Sequence, residues 1–329
     1  MSNMHLAVNY LAADAAAEPI RKGFGRGLLQ AGKDDVNIVA ACADLTGSTA
    51  MDLFAKEFPK RFVEIGVAEQ NLVTVGSGMA AMGKIPFVSS YAAFSPGRNW
   101  EQIRTTICLN NRPVRIVGSH AGISVGPDGA THQMLEDIAL MRVLPGMVVI
   151  APGDAIEAEK ATLALAKDTR PAYLRLAREA TPTITTDKTP FEIGKAYVFQ
   201  EGTDVTLLAT GTMTFHALEA ADKLLKEGIH AEVIHVPTIK PLDAKTILES
   251  VKKTGCVVTA EEAQINGGFG SAIAELLAEQ HPVPLFRIGM KDRFGESGEP
   301  QELMVHFGLD AKHIALAAHS VIHRKTHNS

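Results

Sequence analysis

The chain has 329 residues, enough for two domains that each bury a core, since domains run to roughly 100–200 residues. Hydrophobic residues make up 46% and charged residues 21%, which excludes a disordered chain and a long coiled coil. With 32 Lys and Arg against 37 Asp and Glu the formal charge is −5, so net charge draws it to neither nucleic acid nor an anionic membrane, and any bound phosphate has to be gripped locally.

The elements follow in chain order. The Ala-rich patch at 11–17 is broken by Asp14 and lacks a basic flank and a long apolar core, so no signal peptide is predicted. Beyond it, helix candidates at 20–30, 50–55, 68–82, 99–110, 133–141 and 154–166 alternate with short β-branched runs at 37–42, 61–65, 85–89, 114–118, 147–151 and 172–176. Apolar runs bounded by turn residues fit strands buried on both faces, and strand–helix repetition predicts a parallel α/β sheet. The polar stretch 181–190, TPTITTDKTP, is predicted to be a linker. Strands at 205–209, 231–236, 256–260 and 285–288 then alternate with helices at 214–225, 242–252, 270–279 and 301–306, predicting a smaller second α/β domain. No apolar run approaches the roughly 18 residues of a membrane span. Cys42, Cys108 and Cys256 lie far apart without metal-type spacing, which fits reduced thiols of a cytoplasmic protein.

Gly76, Gly78 and Ala81 satisfy the glycine pattern of dinucleotide binding, but they fall mid-helix instead of between a strand and a helix, and are expected to serve close packing. The densest polar cluster follows the strand candidate 114–118: Ser119, His120, Ser124, Gly126, Asp128, Gly129, Thr131, His132 and Gln133. Ligands of open α/β sheets bind just past the carboxyl ends of strands, so this loop could surround a small hydroxylated substrate with proton donors and acceptors. A Gly-rich turn capping the next helix is the alternative. A second candidate runs from Glu64 to Asn71. Glu69 in a first helical turn is favoured by the helix dipole alone, but the small and apolar residues that follow imply burial. A buried carboxyl prefers to hold a proton, the state a general acid needs.

The Glu69 segment, the segment Ser90-Tyr91-Ala-Ala-Phe94, and His120 followed by Gly-Pro-Asp128-Gly-Ala-Thr-His132-Gln resemble, in order and spacing, the pyrimidine-binding domain of transketolase, a thiamine diphosphate enzyme. Val205-Thr-Leu-Leu-Ala-Thr-Gly, Glu261-Glu262, Gly267-Gly-Phe-Gly and Arg293-Phe-Gly-Glu-Ser-Gly are similar to its C-terminal domain. The resemblance implies two doubly wound α/β domains, a parallel-sheet pyrimidine-binding domain at 15–185 and a smaller C-terminal domain at 195–325. It implies transfer of a two-carbon ketol unit between sugar phosphates, as in the pentose phosphate pathway. Family members hold the cofactor diphosphate through Mg2+ or Ca2+ on a Gly-Asp-Gly motif. This sequence has none, so the resemblance implies an N-terminal partner subunit that carries the motif and the metal. A homodimeric core and an α2β2 heterotetramer are then expected, with no metal ligands from this chain.

Residue by residue, the resemblance makes Glu69 the carboxyl that hydrogen-bonds N1′ of the aminopyrimidine and favours its imino tautomer. Phe94 would stack on that ring with Tyr91 beside it. His120, Asp128 and His132 would contact sugar hydroxyls and assist proton transfer, and Ser48 and Arg178 would bind the sugar phosphate with His120. Arg suits that task through its fixed fork of donors. Two departures stand out: the segment 94–102 is one residue longer than in full-length enzymes, and Ala68-Glu69-Gln70 replaces the usual Arg-Glu-His. Ala-Glu-Gln also resembles 1-deoxyxylulose-5-phosphate synthase, the rival enzyme, whereas His120 favours transketolase because the synthase has Asp-Arg before the equivalent Ala-Gly. A pyruvate dehydrogenase β subunit is also a lone second half, but its equivalent loop does not usually read Asp-Gly-x-Thr-His-Gln. A non-catalytic binding module is the remaining alternative, and the joint presence of Glu69, Phe94, His120, Asp128 and His132 argues against it.

Overall fold

The structure, a computed structural model, describes residues 5–12 and 14–327; Ala13, within the Ala-rich patch, lies outside them. The strands of the first half are β1 (Ala17–Pro19), β2 (Ile38–Cys42), β3 (Phe62–Glu64), β4 (Ile85–Tyr91), β5 (Arg115–Ser119), β6 (Val148–Ile150), β7 (Ala172–Arg175) and β8 (Ala180–Pro182). Those of the second half are β9 (Tyr197–Gln200), β10 (Val205–Ala209), β11 (Ala231–His235), β12 (Thr238–Lys240), β13 (Val257–Gln264) and β14 (Leu285–Met290). The chain is thus a two-domain α/β structure. Its larger sheet has the order β12-β6-β7-β5-β4-β2-β3, parallel except where β12 pairs with β6. The smaller has the order β14-β13-β10-β11-β9, parallel except for β9 against β11. Among the described residues, no helix is long and apolar enough to cross a membrane.

The buried strands β2, β5, β10 and β11 carry no exposed position, as parallel strands covered on both faces require. One face of the large sheet is covered by the helices Ile20–Asp34 and Ala155–Lys167, which bury Phe24, Leu28, Ala161 and Leu165 with Phe87 and Val117. The other face carries the helix Glu69–Ala81, with Leu72 and Val73 against Val88 and Ile116. Gly76 sits inside that helix, where an added Cβ would stand 2.8 Å from Val88 Cγ1, so the glycine serves helix–sheet packing.

Four features differ from the expectations. The stretch 181–190 is no free linker: Thr181 pairs with Glu18 in the β1–β8 ribbon, and the amides of Ile184 and Thr185 donate to Asp154 Oδ2 at 2.9 and 2.6 Å. Threonines that look like solvent-exposed punctuation are here pinned by their hydrogen bonds. The expected helix 99–110 is a short turn at Trp100–Gln102 that widens into π-helical turns at Ile103–Cys108. Thr105 and Thr106 hydroxyls bond the carbonyls of Glu101 and Gln102 at 3.0 and 2.6 Å, and such side chains compete with the regular ladder. The short strands β1, β8, β9 and β12 carry no periodic signal. A final helix, Ala311–His327, packs Ile314, Ala318 and Val321 on the second domain.

The domains meet through buried polar groups. Arg175 Nε donates to Asp137 Oδ2 at 2.8 Å and its Nη2 to the Glu262 carbonyl at 2.7 Å. Burial alone would lower the Arg175 pKa, but the Asp137 and Glu262 carboxylates outweigh it and raise the value, so the guanidinium stays charged. His235 of β11 bonds Glu157 of the first domain at 2.7 Å.

Candidate active site

Parallel strands end on one edge of their sheet, and that edge gathers the chemistry. Ser48 follows β2, Tyr91 ends β4, His120 follows β5, and Arg178 follows β7. Between β3 and its helix, Glu64 organises the turn: Oε1 accepts the amides of Asp44 and Gly66 at 2.6 and 3.1 Å, and Oε2 accepts the Thr46 hydroxyl at 2.9 Å.

Glu69 opens the helix Glu69–Ala81 and is 1% exposed. It does not stand in apolar surroundings alone. Arg98 Nη1 donates to its Oε2 at 2.8 Å, the Ser90 hydroxyl lies 3.4 Å from Oε1, and Asn99 Nδ2 donates to its backbone carbonyl at 2.8 Å. The segment 94–102 folds back over the helix start and delivers Arg98 and Asn99. Sequence reasoning missed Arg98, because 29 residues separate it from its partner. Its guanidinium carbon also lies 5.2 Å from the Phe94 ring centroid. A planar cation with N–H donors therefore meets a buried carboxylate and an aromatic face together, and the same carboxylate and aromatic face suit an aminopyrimidine ring in its place.

Four rings form the wall next to it. Tyr91 stacks on His120 with centroids 4.0 Å apart and lies 6.4 Å from Phe94, while His132 stands edge-on to Phe94 at 5.4 Å and to Tyr91 at 6.3 Å. His120 is buried, with its backbone at φ 56°, a left-handed conformation that costs a non-glycine residue about 1–3 kcal/mol. Its Nδ1 lies 2.9 Å from Ser119 Oγ, and His132 Nδ1 lies 2.9 Å from Thr131 Oγ1, so in each ring the Nε2 is the nitrogen left to meet a ligand.

Burial, reinforced by the charges of Arg21, Arg178 and His132, pushes the His120 pKa down to about 3. The ring is neutral at pH 7, one nitrogen donating and the other accepting. Because the folded value lies below the unfolded one, the unfolded chain takes up more protons between about 6.5 and 3. This group's contribution to stability is therefore present above that window and is lost as pH falls through it. Histidine-resolved NMR titration of the chain is expected to show a ring still neutral at pH 5, with the midpoint moving upward in Arg178→Ala. A His120 midpoint near 6.5 would contradict the burial argument.

Arg178 Nη1 donates to the Val125 carbonyl, and its Nε lies 3.8 Å from Glu179 Oε1. Its own carbonyl accepts from Arg21 Nη1. Burial lowers the Arg21 pKa, Glu179 opposing and Arg178 reinforcing the shift. Two arginines side by side at the edge of the ring cluster concentrate positive charge locally on an acidic chain. Arg21 was not singled out from the sequence, since a cation near the start of a helix gives no local sign of meeting a residue 157 positions away. The structure thus brings Tyr91, Phe94, His120, His132 and Arg178 together, with Glu69 beside Phe94 through Arg98. Ser48 and Asp128 are exposed on loops at the same edge, and no described contact ties either side chain to the cluster.

The family descriptions "Transketolase, pyrimidine binding domain" and "Transketolase, C-terminal domain" match residues 18–183 and 194–314. This chain belongs to the transketolase family. It is 45% identical, over 90% of its length and 94% of the relative's, to a protein of Methanocaldococcus jannaschii described as a putative transketolase C-terminal section. It is 44% identical to the 6-deoxy-6-sulfo-D-fructose transketolase subunit SqwH of Clostridium sp., covering 91% of this chain and 92% of the relative. A 1-deoxy-D-xylulose-5-phosphate synthase of Geobacter sulfurreducens is 39% identical, and the match spans only 48% of it. Among solved structures, a split-gene transketolase described as an inactive β4 tetramer superposes with TM-score 0.88 at 43% identity, covering 93% of this chain and 99% of that one. In length and fold, then, this transketolase-family chain is similar to C-terminal transketolase sections and split-gene subunits.

Proposed function

We propose that this chain is the C-terminal subunit of a split transketolase, transferring a two-carbon ketol unit between sugar phosphates together with an N-terminal chain that holds the metal and the diphosphate of thiamine diphosphate. The observation that carries the reading is the joint cluster of Glu69, Tyr91, Phe94, His120 and His132 beside Arg21 and Arg178. When bound, the cofactor supplies the carbanion chemistry, and the protein supplies orientation and electrostatics.

In this reading Glu69 holds a proton at N1′ of the aminopyrimidine, a task for which the Arg98 guanidinium has to give way. Phe94 stacks on that ring, and Tyr91 fixes the plane of His120. His120 and His132 offer their Nε2 atoms to sugar hydroxyls, with Asp128 at the loop tip. The neutral His120 ring, donating at one nitrogen and accepting at the other, can hydrogen-bond a sugar hydroxyl but does not grip a phosphate by charge, which leaves that role to Arg178 and Arg21, with Ser48 at the rim. Bidentate Arg contacts are among the strongest a phosphate can make. Relatives named for a sulfo-fructose and for apulose 4-phosphate support an anionic sugar as substrate.

The test is reconstitution. The purified chain with thiamine diphosphate and Mg2+ is expected to convert no xylulose 5-phosphate and ribose 5-phosphate, and addition of a partner chain carrying Gly-Asp-Gly is expected to restore turnover. Activity of the chain alone would overturn the split-subunit reading. Release of CO2 from pyruvate with glyceraldehyde 3-phosphate as acceptor would instead support a synthase-like enzyme.

A further inference from the structure

The loop that bears His120, Asp128 and His132 is not built by the first domain alone. Glu262, in β13 of the second domain, is 2% exposed, and its Oε1 accepts the Ser124 amide at 2.7 Å while Oε2 accepts the Thr212 hydroxyl at 2.9 Å. Gly122 has φ +96°, and a Cβ there would stand 2.3 Å from Glu262 Oε1, so the loop's turn and the carboxylate occupy adjoining space. A second tie lies 163 positions apart in sequence: Gln133 Nε2 donates to the Glu296 carbonyl at 2.8 Å and to the Gly126 carbonyl at 3.1 Å. Gly295 allows this, since a Cβ on it would fall 1.8 Å from Gln133 Oε1. The first tie holds the turn Ile123–Asp128 at Ser124, and the second holds it at Gly126 and, at 3.3 Å, at the Ile123 carbonyl. They join motifs that the sequence sets far apart, Glu261-Glu262 and the Arg293-to-Gly298 run, to the polar loop of the first domain.

We propose that Glu262 is a positioning residue: from the second domain it fixes the Ser124 amide and thereby the geometry of the loop that presents His120, Asp128 and His132 to substrate. A buried carboxylate accepting an amide is a charge-assisted bond, shorter and stronger than a neutral one. It is suited to hold a glycine-rich turn that would otherwise sample many conformations. Catalytic groups work when held within a narrow range of position, so a loosened loop lowers transition-state contacts before it lowers global stability. The inference rests on the proposed role of that loop as the substrate loop.

Two measurements separate the inference from that reading. In the full chain alone, hydrogen–deuterium exchange of peptides covering 119–135 is expected to quicken roughly tenfold in Glu262→Ala, while peptides of the second-domain sheet stay protected. Glu262→Gln keeps a carbonyl acceptor for the Ser124 amide and is expected to recover most of the protection. In the reconstituted enzyme, Glu262→Ala is expected to lower kcat/KM roughly tenfold at unchanged affinity for the partner chain, with Glu262→Gln in between. Unaltered exchange at 119–135, exchange quickened across the whole second domain, or kcat/KM equal to that of the unmodified enzyme would each overturn the positioning role. A reconstituted unmodified enzyme without transketolase turnover would overturn the functional reading instead, while the exchange result would still decide whether the second domain holds the loop.

Discussion

Glu69→Ala is expected to leave fold and assembly intact and to lower turnover of the reconstituted enzyme by roughly 10²–10⁴-fold, the usual contribution of a positioned acid–base group. The folded state tolerates the change because the Arg98 side chain it orphans is 50% exposed and can turn to water. Glu69→Gln is expected to lose nearly as much activity: the amide preserves size and hydrogen bonding but cannot hold the proton. Steady-state rates read beside thermal melting and partner affinity check the expectation. A near-normal rate in Glu69→Ala would reduce the carboxylate to a partner for Arg98 at the start of the helix.

Arg178→Ala is expected to raise KM for phosphorylated sugars roughly 10- to 150-fold with little change in kcat. This follows from the about 1.5–3 kcal/mol of a hydrogen bond to a charged group, at about 1.4 kcal/mol per decade. A grip on the remote phosphate that is equal in ground and transition states is uniform binding, which appears in KM. Non-phosphorylated hydroxypyruvate should be nearly unaffected. Arg178 also donates to the Val125 carbonyl in the loop between His120 and His132, so Arg178→Lys, which keeps the charge and loses the fork, is expected to fall between the two. An equal loss for phosphorylated and non-phosphorylated donors would make Arg178 a support for Val125 instead. Arg21→Ala offers the parallel measurement, and a similar KM shift there would mark the two arginines as one anion grip.

Much of this architecture is written locally. Apolar β-branched runs such as Ile38–Cys42 and Val205–Ala209 have no polar face, so they form strands only where both faces are covered, and the alternation with helices then dictates parallel sheets. Parallel order in turn sends the residues after β2, β4, β5 and β7 to one edge, where Tyr91, Phe94, His120, His132 and Arg178, singled out through the resemblance to transketolase, come together. What the tertiary structure decided are the pairings between distant segments. Arg98 reaches Glu69, Arg21 reaches Arg178, and Glu262 reaches Ser124 across 29, 157 and 138 residues. A charged or polar residue carries no periodic mark of its partner, because hydrogen bonds depend on where the packed sheets place the two groups. The same holds for β12, whose three residues lie in the second half of the chain yet complete the first sheet, since pairing of so short a strand is set by the edge it meets. The anchored threonines of 181–190 obey the same physics: their composition permits a loop, and distant partners, among them the buried Asp154 carboxylate and the Lys160 ammonium, turn it into fixed structure.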